Sequence, residues 1–219
     1  MHNFGVAARD GLHPLGLTLG SRGQLYGMTT QGGDSKSGGI VFRLNPPSAG
    51  RSWTETVLYR FTGSVNGNGD GFSPNGTLAL SGGSLFGTTG GGGTLNGGTV
   101  FELQPPSGSG AWTENVLYNF TGPANDDGRI PTGLAGGENG TLLGTTKYGG
   151  SVDSGIVFKL TPPAASGGSW TETVEYAFTT GGSAGFQPYG IPIAGAGGIY
   201  GATFYGGASG YGSVFQLAP

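Results

Sequence analysis

Gly39-Ile40-Val41-Phe42-Arg43-Leu44 decides how this chain is organised, because it occurs four times. It returns as Gly98-Thr99-Val100-Phe101-Glu102-Leu103, Gly155-Ile156-Val157-Phe158-Lys159-Leu160 and Gly212-Ser213-Val214-Phe215-Gln216-Leu217, at intervals of 59, 57 and 57 residues. A fixed period of this size marks a repeat architecture. Other landmarks keep the same beat. A run like Leu25-Tyr26-Gly27-Met28-Thr29 recurs at Leu85, Leu142 and Ile199, and Trp-Thr-Glu stands at Trp53, Trp112 and Trp170. Paired prolines follow at Pro46, Pro105 and Pro162, and a Pro-x-Gly turn opens each unit at Pro14, Pro74, Pro131 and Pro188. The chain divides into units at about 5–61, 62–120, 121–178 and 179–219 plus 1–4, within one domain spanning 1–219.

Each unit holds four short apolar runs separated by turn-formers, and no window sustains a 3.6-residue period, so the chain is expected to be all-β. In the first unit run a is 16–20, run b 24–30, run c 39–44 and run d 53–61. Alternation puts Phe42 and Leu44 on one face of run c and Val41 on the other. It puts Trp53, Val57, Tyr59 and Phe61 on one side of run d and Leu58 on the opposite side. Sheets that are apolar on both faces have to be covered on both faces. Four small equivalent sheets do this most economically by standing around an axis as a β-propeller. A solenoid would use shorter repeats with atypical capping units, and none is visible.

The expected architecture is a four-bladed propeller with four antiparallel strands per blade. Met1-His2-Asn3-Phe4 aligns with Leu117-Tyr118-Asn119-Phe120, the tail of a run d, whereas the fourth unit ends after its run c. The N-terminal strand is therefore expected to close the last blade, and run a, rich in small residues, to line the axis. The stub is shorter than the other d runs, which makes closure the weakest seam. There the edge of run c is expected to accept a strand from another molecule, giving a homo-oligomer.

Of the 219 residues, 51 are Gly and 13 are Pro, placed between aromatic and β-branched runs as turns. Charged residues make up 10% and the net charge is −3, with no basic cluster, which excludes an electrostatic footprint for nucleic acid or anionic lipid. Cysteine is absent, which excludes disulfides and thiolate metal sites. No apolar run reaches membrane-spanning length and the first residues are no signal peptide, so no membrane insertion is expected.

The Asp-Gly turns, the Leu-Tyr-Gly-Met-Thr run, the Gly-Gly pairs and Gly-x-Val-Phe-x-Leu together resemble the bacterial tandem repeats called GloVer, over nearly the whole chain. The resemblance implies a secreted or cell-surface protein with no assigned catalytic role. The fourth unit departs from the pattern, with Ala184-Gly185 for Asp-Gly and Ala202 for Thr.

Candidate site residues lie in the loops between runs d and a and between runs b and c, which share one end of a propeller. The Asp-Gly pairs at Asp10, Asp70 and Asp127 are expected to fix turns. In Asn66-Gly67-Asn68-Gly69-Asp70-Gly71, alternating oxygen donors also resemble a calcium loop. Calcium is the only cofactor considered, at Asn66, Asn68 and Asp70. The b-to-c loops supply Asp34, Lys147, Tyr148, Asp153, Tyr205 and Tyr211 as candidate ligand-binding residues, with Tyr148 and Tyr205 equivalent and able to stack on sugar rings. Glu55, Glu114 and Glu172 recur on the outer run and are expected to be solvated, their repetition speaking against one unique acid–base pair. Gly181-Gly182-Ser183-Ala184-Gly185 lies in a loop and not at a strand-to-helix elbow, so nucleophilic hydrolysis is not expected. The chain is expected to be a non-enzymatic repeat scaffold or binding module, with a glycan or protein ligand on the loop face. A glycan-binding lectin is the alternative, and a glycan-active enzyme using loop carboxylates such as Asp34 and Asp153 a further one.

Overall fold

A computed structural model of the chain describes residues 2–33, 38–48, 51–63, 69–165, 167–181 and 184–218. Four antiparallel four-stranded sheets follow one another along the sequence. Sheet I comprises β1 (Gly11–Leu19), β2 (Leu25–Gly32), β3 (Ile40–Asn45) and β4 (Thr54–Arg60). Sheet II comprises β5 (Phe72–Ser81), β6 (Ser84–Gly91), β7 (Thr99–Gln104) and β8 (Thr113–Asn119). Sheet III comprises β9 (Gly128–Gly136), β10 (Leu142–Gly149), β11 (Ile156–Thr161) and β12 (Thr171–Ala177). Sheet IV comprises β13 (Phe186–Pro188), β14 (Ile193–Gly195), β15 (Gly198–Tyr205) and β16 (Ser213–Leu217). The helical content among the described residues is two single 3₁₀ turns, Pro123–Asn125 and Glu138–Gly140.

The first three sheets are meanders in which each strand pairs with the next. In sheet IV, β13 and β14 both pair with β15 and together stand where β1, β5 and β9 stand elsewhere. Pro192, which falls between β13 and β14 and is peculiar to this unit, accompanies the break, since it cannot donate to a ladder.

Each sheet packs its back face, marked by the valine of the repeat, against the front face of the following sheet, marked by the phenylalanine. Between sheets I and II, Met28, Val41, Leu58 and Phe61 meet Leu78, Leu85, Phe101 and Leu103. Val100 and Phe120 meet Leu134, Leu142, Phe158 and Leu160 at the next junction, and Val157 and Phe178 meet Phe215 at the last. A T-shaped aromatic pair crosses each junction, Phe61–Phe101, Phe120–Phe158 and Phe178–Phe215, with ring centroids 5.2, 5.0 and 5.1 Å apart. Pairs of this geometry contribute about 0.5–1.5 kcal/mol beyond the area they bury.

A bulge in the outer strand sets this up and corrects the face assignment for run d. Val41 lies opposite Tyr59 but Phe42 lies opposite Val57, leaving Leu58 as the extra residue. Trp53 and Val57 therefore stay with the front face, whereas Leu58, Tyr59 and Phe61 turn to the back. The same shift recurs at Val100/Phe101 and Val157/Phe158.

The glycine of each Leu-x-Gly-x-Thr run makes room for the phenylalanine ring on the neighbouring strand. A Cβ on Gly27, Gly87, Gly144 or Gly201 would lie 2.3–2.5 Å from Phe42, Phe101, Phe158 or Phe215. The threonine two positions later locks the same strands. Thr29, Thr89, Thr146 and Thr203 accept a hydrogen bond at Oγ1 from the backbone N–H of Ile40, Thr99, Ile156 and Ser213.

Adjacent sheets are also tied through the backbone, at the residue before the proline that recurs in each unit. Ser73, Ile130 and Gln187 take left-handed φ values of 50°, 55° and 55°. Each donates its N–H to the preceding sheet, to the carbonyls of Gly38, Gly97 and Ser154, at 2.8–2.9 Å. His13 adopts the same conformation, with φ 58°.

The expected closure of the last blade by the N-terminal strand is not found. His2, Asn3 and Phe4 are not in a strand, and Phe4 packs against Phe42 on the front of sheet I, with centroids 4.8 Å apart. The stub stays on sheet I, where its phenylalanine follows the packing rule of Phe61, Phe120 and Phe178. Among the described residues, no strand pairs with the outer edge of β16. The sheets thus form an all-β, propeller-like succession that is not closed.

We expect Gly87→Ala to destabilise the fold by about 1–3 kcal/mol through overpacking against Phe101. Gly136→Ala, where a Cβ meets nothing within 4 Å, should be nearly neutral. Equilibrium urea denaturation of the two variants distinguishes them.

Candidate functional site

The innermost strands of sheets I to III and the connection between β13 and β14 line a pocket of about 350 Å³ through Leu15, Gly16, Asn75, Thr77, Thr132, Tyr189 and Ile191. Its lining carries no carboxyl, imidazole, ammonium or guanidinium group, so this pocket offers shape and hydrogen bonds. The backbones approach closely here. A Cβ on Gly133 would lie 2.2 Å from the carbonyl oxygen of Gly190.

Titratable chemistry concentrates at the sheet junctions. The Asp of each Asp-Gly turn ties the end of one outer strand to the start of the next sheet. Asp127 accepts from Tyr118 Oη (3.1 Å), from Thr121 N and Oγ1 (2.7 and 2.9 Å) and from Gly128 N (2.6 Å). Asp70 accepts from Tyr59 Oη (2.6 Å), from Thr62 Oγ1 (2.7 Å) and from Thr62 N. Asp10 accepts from Gly5 N and Gly11 N, both at 2.7 Å. Burial, then the hydrogen bond to Asp70, push the Tyr59 hydroxyl well above the usual tyrosine range. Burial and the charge of Asp127 do the same to Tyr118.

Beside each aspartate stands the glutamate of a Trp-Thr-Glu run. These glutamates are not solvated, which corrects the expectation from sequence. Oε1 of Glu55, Glu114 and Glu172 is buried without a hydrogen-bond partner. Burial, followed by the charge of the neighbouring aspartate, raises each carboxyl from 4.5 to about 7. At Glu55, Arg60 offsets part of the rise, and His2 Nε2 lies 3.4 Å from Oε2. His2 occupies the place that Tyr59 and Tyr118 hold at the following junctions. His2, Asp10 and Glu55 present donor atoms within 4.8 Å of one another. The second pair, Asp70 and Glu114, lines a cleft of about 490 Å³ with Tyr59, Thr62, Thr94 and Asn119.

Of the residues singled out from sequence, Lys147, Tyr148 and Asp153 come together around Arg129. Arg129 makes a bidentate pair with Asp153 (Nε–Oδ1 3.0 Å, Nη2–Oδ2 2.7 Å), and its guanidinium lies 4.5 Å from the centre of the Tyr148 ring. Lys147 Nζ lies 5.2 Å from the same ring. The hydrogen bond from Arg129 holds the Asp153 carboxyl below the usual range. Asp153 is thus committed as an ionised partner of an arginine, and a cation already occupies a face of Tyr148. Tyr205 stacks on Phe186 at 5.6 Å and meets the edge of Phe204 at 4.8 Å. Tyr211 is 93% exposed and joins this group through a backbone bridge to Gly206. Asp70 belongs to the carboxyl cleft, with protein donors on both oxygens. Asp34, Asn66 and Asn68 lie outside the described residues.

Sequence reasoning missed Glu114 and Tyr59 as members of one site. A signal existed: each Glu follows its Asp by 44 or 45 residues, and each Tyr stands two before the junction phenylalanine.

No family model matches the chain, and no curated protein matches it. Among solved structures it is similar to a gluconolactonase of Xanthomonas campestris, an enzyme described as important in glucose secondary metabolic pathways. The identity is 14% and the TM-score 0.52, over 98% of this chain and 59% of that one. This is a likeness of fold, and the present chain spans 59% of that protein's length. It overturns the expectation of a non-enzymatic scaffold or binding module, because a solved protein with this sheet arrangement is an enzyme.

The raised glutamates give a signed pH dependence. A carboxyl held at about 7 in the fold and about 4.5 when unfolded favours the protonated form in the native state. Its stabilising contribution is present in full below about pH 4.5 and is lost as pH rises through about 7. Asp153, whose pKa is lowered, acts in the opposite sense and below pH 4, outside this window. The urea midpoint should therefore fall between pH 5 and pH 8, and fall less in a Glu55→Gln/Glu114→Gln/Glu172→Gln variant. A midpoint that rises over this range contradicts the assignment.

Proposed function

We propose that this domain is an enzyme of propeller type that hydrolyses a C–O bond in a carbohydrate-derived substrate, with Asp70 and Glu114 as its acid–base pair. The sheets are then blades, and the cleft between the first two holds the reacting group. The observation that carries this reading is the pairing, in one cleft, of the turn aspartate Asp70 with Glu114, whose carboxyl is raised to about 7. Glu114 retains its proton to about pH 7 and has a buried oxygen that no protein group uses. Asp70 is held by Tyr59 and Thr62, yet a carboxylate has about four lone-pair sites, enough to accept a further bond from water. In the step itself, water attacks the substrate carbon and passes a proton to Asp70. The C–O bond breaks, and Glu114 protonates the departing oxygen. The carbohydrate class is supported by the gluconolactonase likeness, and by Thr62, Thr94 and Asn119, whose side chains are suited to sugar hydroxyls.

The test is a hydrolysis screen over aldonolactones and aryl glycosides. Activity should drop by roughly 10²–10⁴-fold in Glu114→Gln, with the melting temperature kept. The kcat of the wild type should decline as pH rises above about 7, where Glu114 loses its proton. Turnover of no substrate in the screen, or turnover that Glu114→Gln leaves intact, rejects the assignment.

A further inference from the structure

The two ends of the sheet succession present the two halves of a junction that the chain builds three times internally. Val41, Val100 and Val157 are fully buried at those junctions, whereas Val214, in the same position of sheet IV, is 82% exposed. Ile193 and Phe204 on the same sheet are exposed as well. At the other end, the front of sheet I carries Phe42, Leu44, Leu25 and Trp53 around an open apolar cavity of about 380 Å³. Leu17 lines it and is 50% exposed, while Leu78 and Leu134, its counterparts in sheets II and III, are buried.

Backbone groups repeat the pattern. Ser73, Ile130 and Gln187 hold left-handed conformations and donate an N–H to the preceding sheet, and His13 holds the same conformation at the first sheet described. The acceptors are the residues just before Gly39, Gly98 and Gly155. The corresponding residue before Gly212 is Tyr211, the most exposed aromatic in the chain. The edge of β16 is unpaired among the described residues, and the stub 2–4 corresponds to 59–61, which pair with β3.

We propose that a second copy of this chain docks head to tail, the back of sheet IV in one copy covering the front of sheet I in the next. The established junctions set the register. Val214 lies opposite His2 of the second copy, as Val41 lies opposite Tyr59, and the stub joins β16 as an added edge strand. His13 of the second copy donates its N–H to the Tyr211 carbonyl. Front and back differ, so the contact is heterologous, and repetition leads to a ring or a filament. The occupant is a copy of this chain because the two exposed faces carry the residues that the three internal junctions already join.

The test does not depend on the proposed activity: molar mass is followed by light scattering from micromolar to millimolar concentration, for the wild type and Val214→Lys. Val214 is mostly exposed, so the substitution leaves each copy folded. Since the chain has no cysteine, a His2→Cys/Val214→Cys variant should form covalent multimers on mild oxidation, and neither single variant should. Concentration-dependent assembly that Val214→Lys removes, with cross-linking in the double variant alone, is the expected result. A monomer at every concentration, assembly indifferent to Val214→Lys, or cross-linking of Val214→Cys to itself each overturns the proposal.

Discussion

Every sheet in this protein is apolar on both faces, and that constraint governs the rest. A small sheet can shed water from one side by curling or by a loop, but not from both. Here the neighbour does it. The valine of one sheet goes behind the phenylalanine of the next, the T-shaped pairs at about 5 Å fix the spacing, and the strand glycine yields its side-chain volume to the ring. Burying a large apolar side chain contributes about 1.5–3 kcal/mol, and each junction buries several. That is how a chain with 51 glycines remains ordered.

The junction also explains the chemistry. An outer strand has to end and a new sheet has to begin at each crossing, and before sheets II and III an Asp-Gly turn satisfies the loose backbone amides there. The packing that shelters the junction then withdraws the adjacent glutamate from water. The turn aspartate adds negative charge, and the carboxyl keeps its proton to about pH 7. A turn device repeated for the sake of the fold thus yields acid pairs whose surroundings differ. His2 stands at the first, and Tyr59 with an open cleft at the second. One such difference suffices for one site to acquire chemistry that its copies lack.

Much of this was legible in the sequence. Periodicity of the Val-Phe run and alternation within it lead directly to four sheets with two greasy faces, and Val41 and Phe42 do point apart. Run d was misjudged because alternation assumes an unbroken pleat, and the bulge at Leu58 shifts the register by one residue. The expected closure fails because aligning His2 with Tyr118 identifies an equivalent position without saying which strand is near enough to pair. The carboxyl pairs were missed for a related reason. Asp70 and Glu114 lie 44 residues apart and meet only because the turn before β5 and the start of β8 share a junction. Sequence alone leaves Tyr148 a free stacking surface, but in the fold Arg129, on the neighbouring strand, takes that role first.

Amide hydrogen exchange on the dilute protein tests the dependence of each sheet on its neighbours most directly. The middle strands of sheets II and III, β6, β7, β10 and β11, are sheltered on both faces and should exchange slowest. β15 and β16, covered on one face, should exchange faster by orders of magnitude. Equal protection of β16 and β7 would contradict the account, because it would mean that a sheet of this kind is stable without a neighbour behind it.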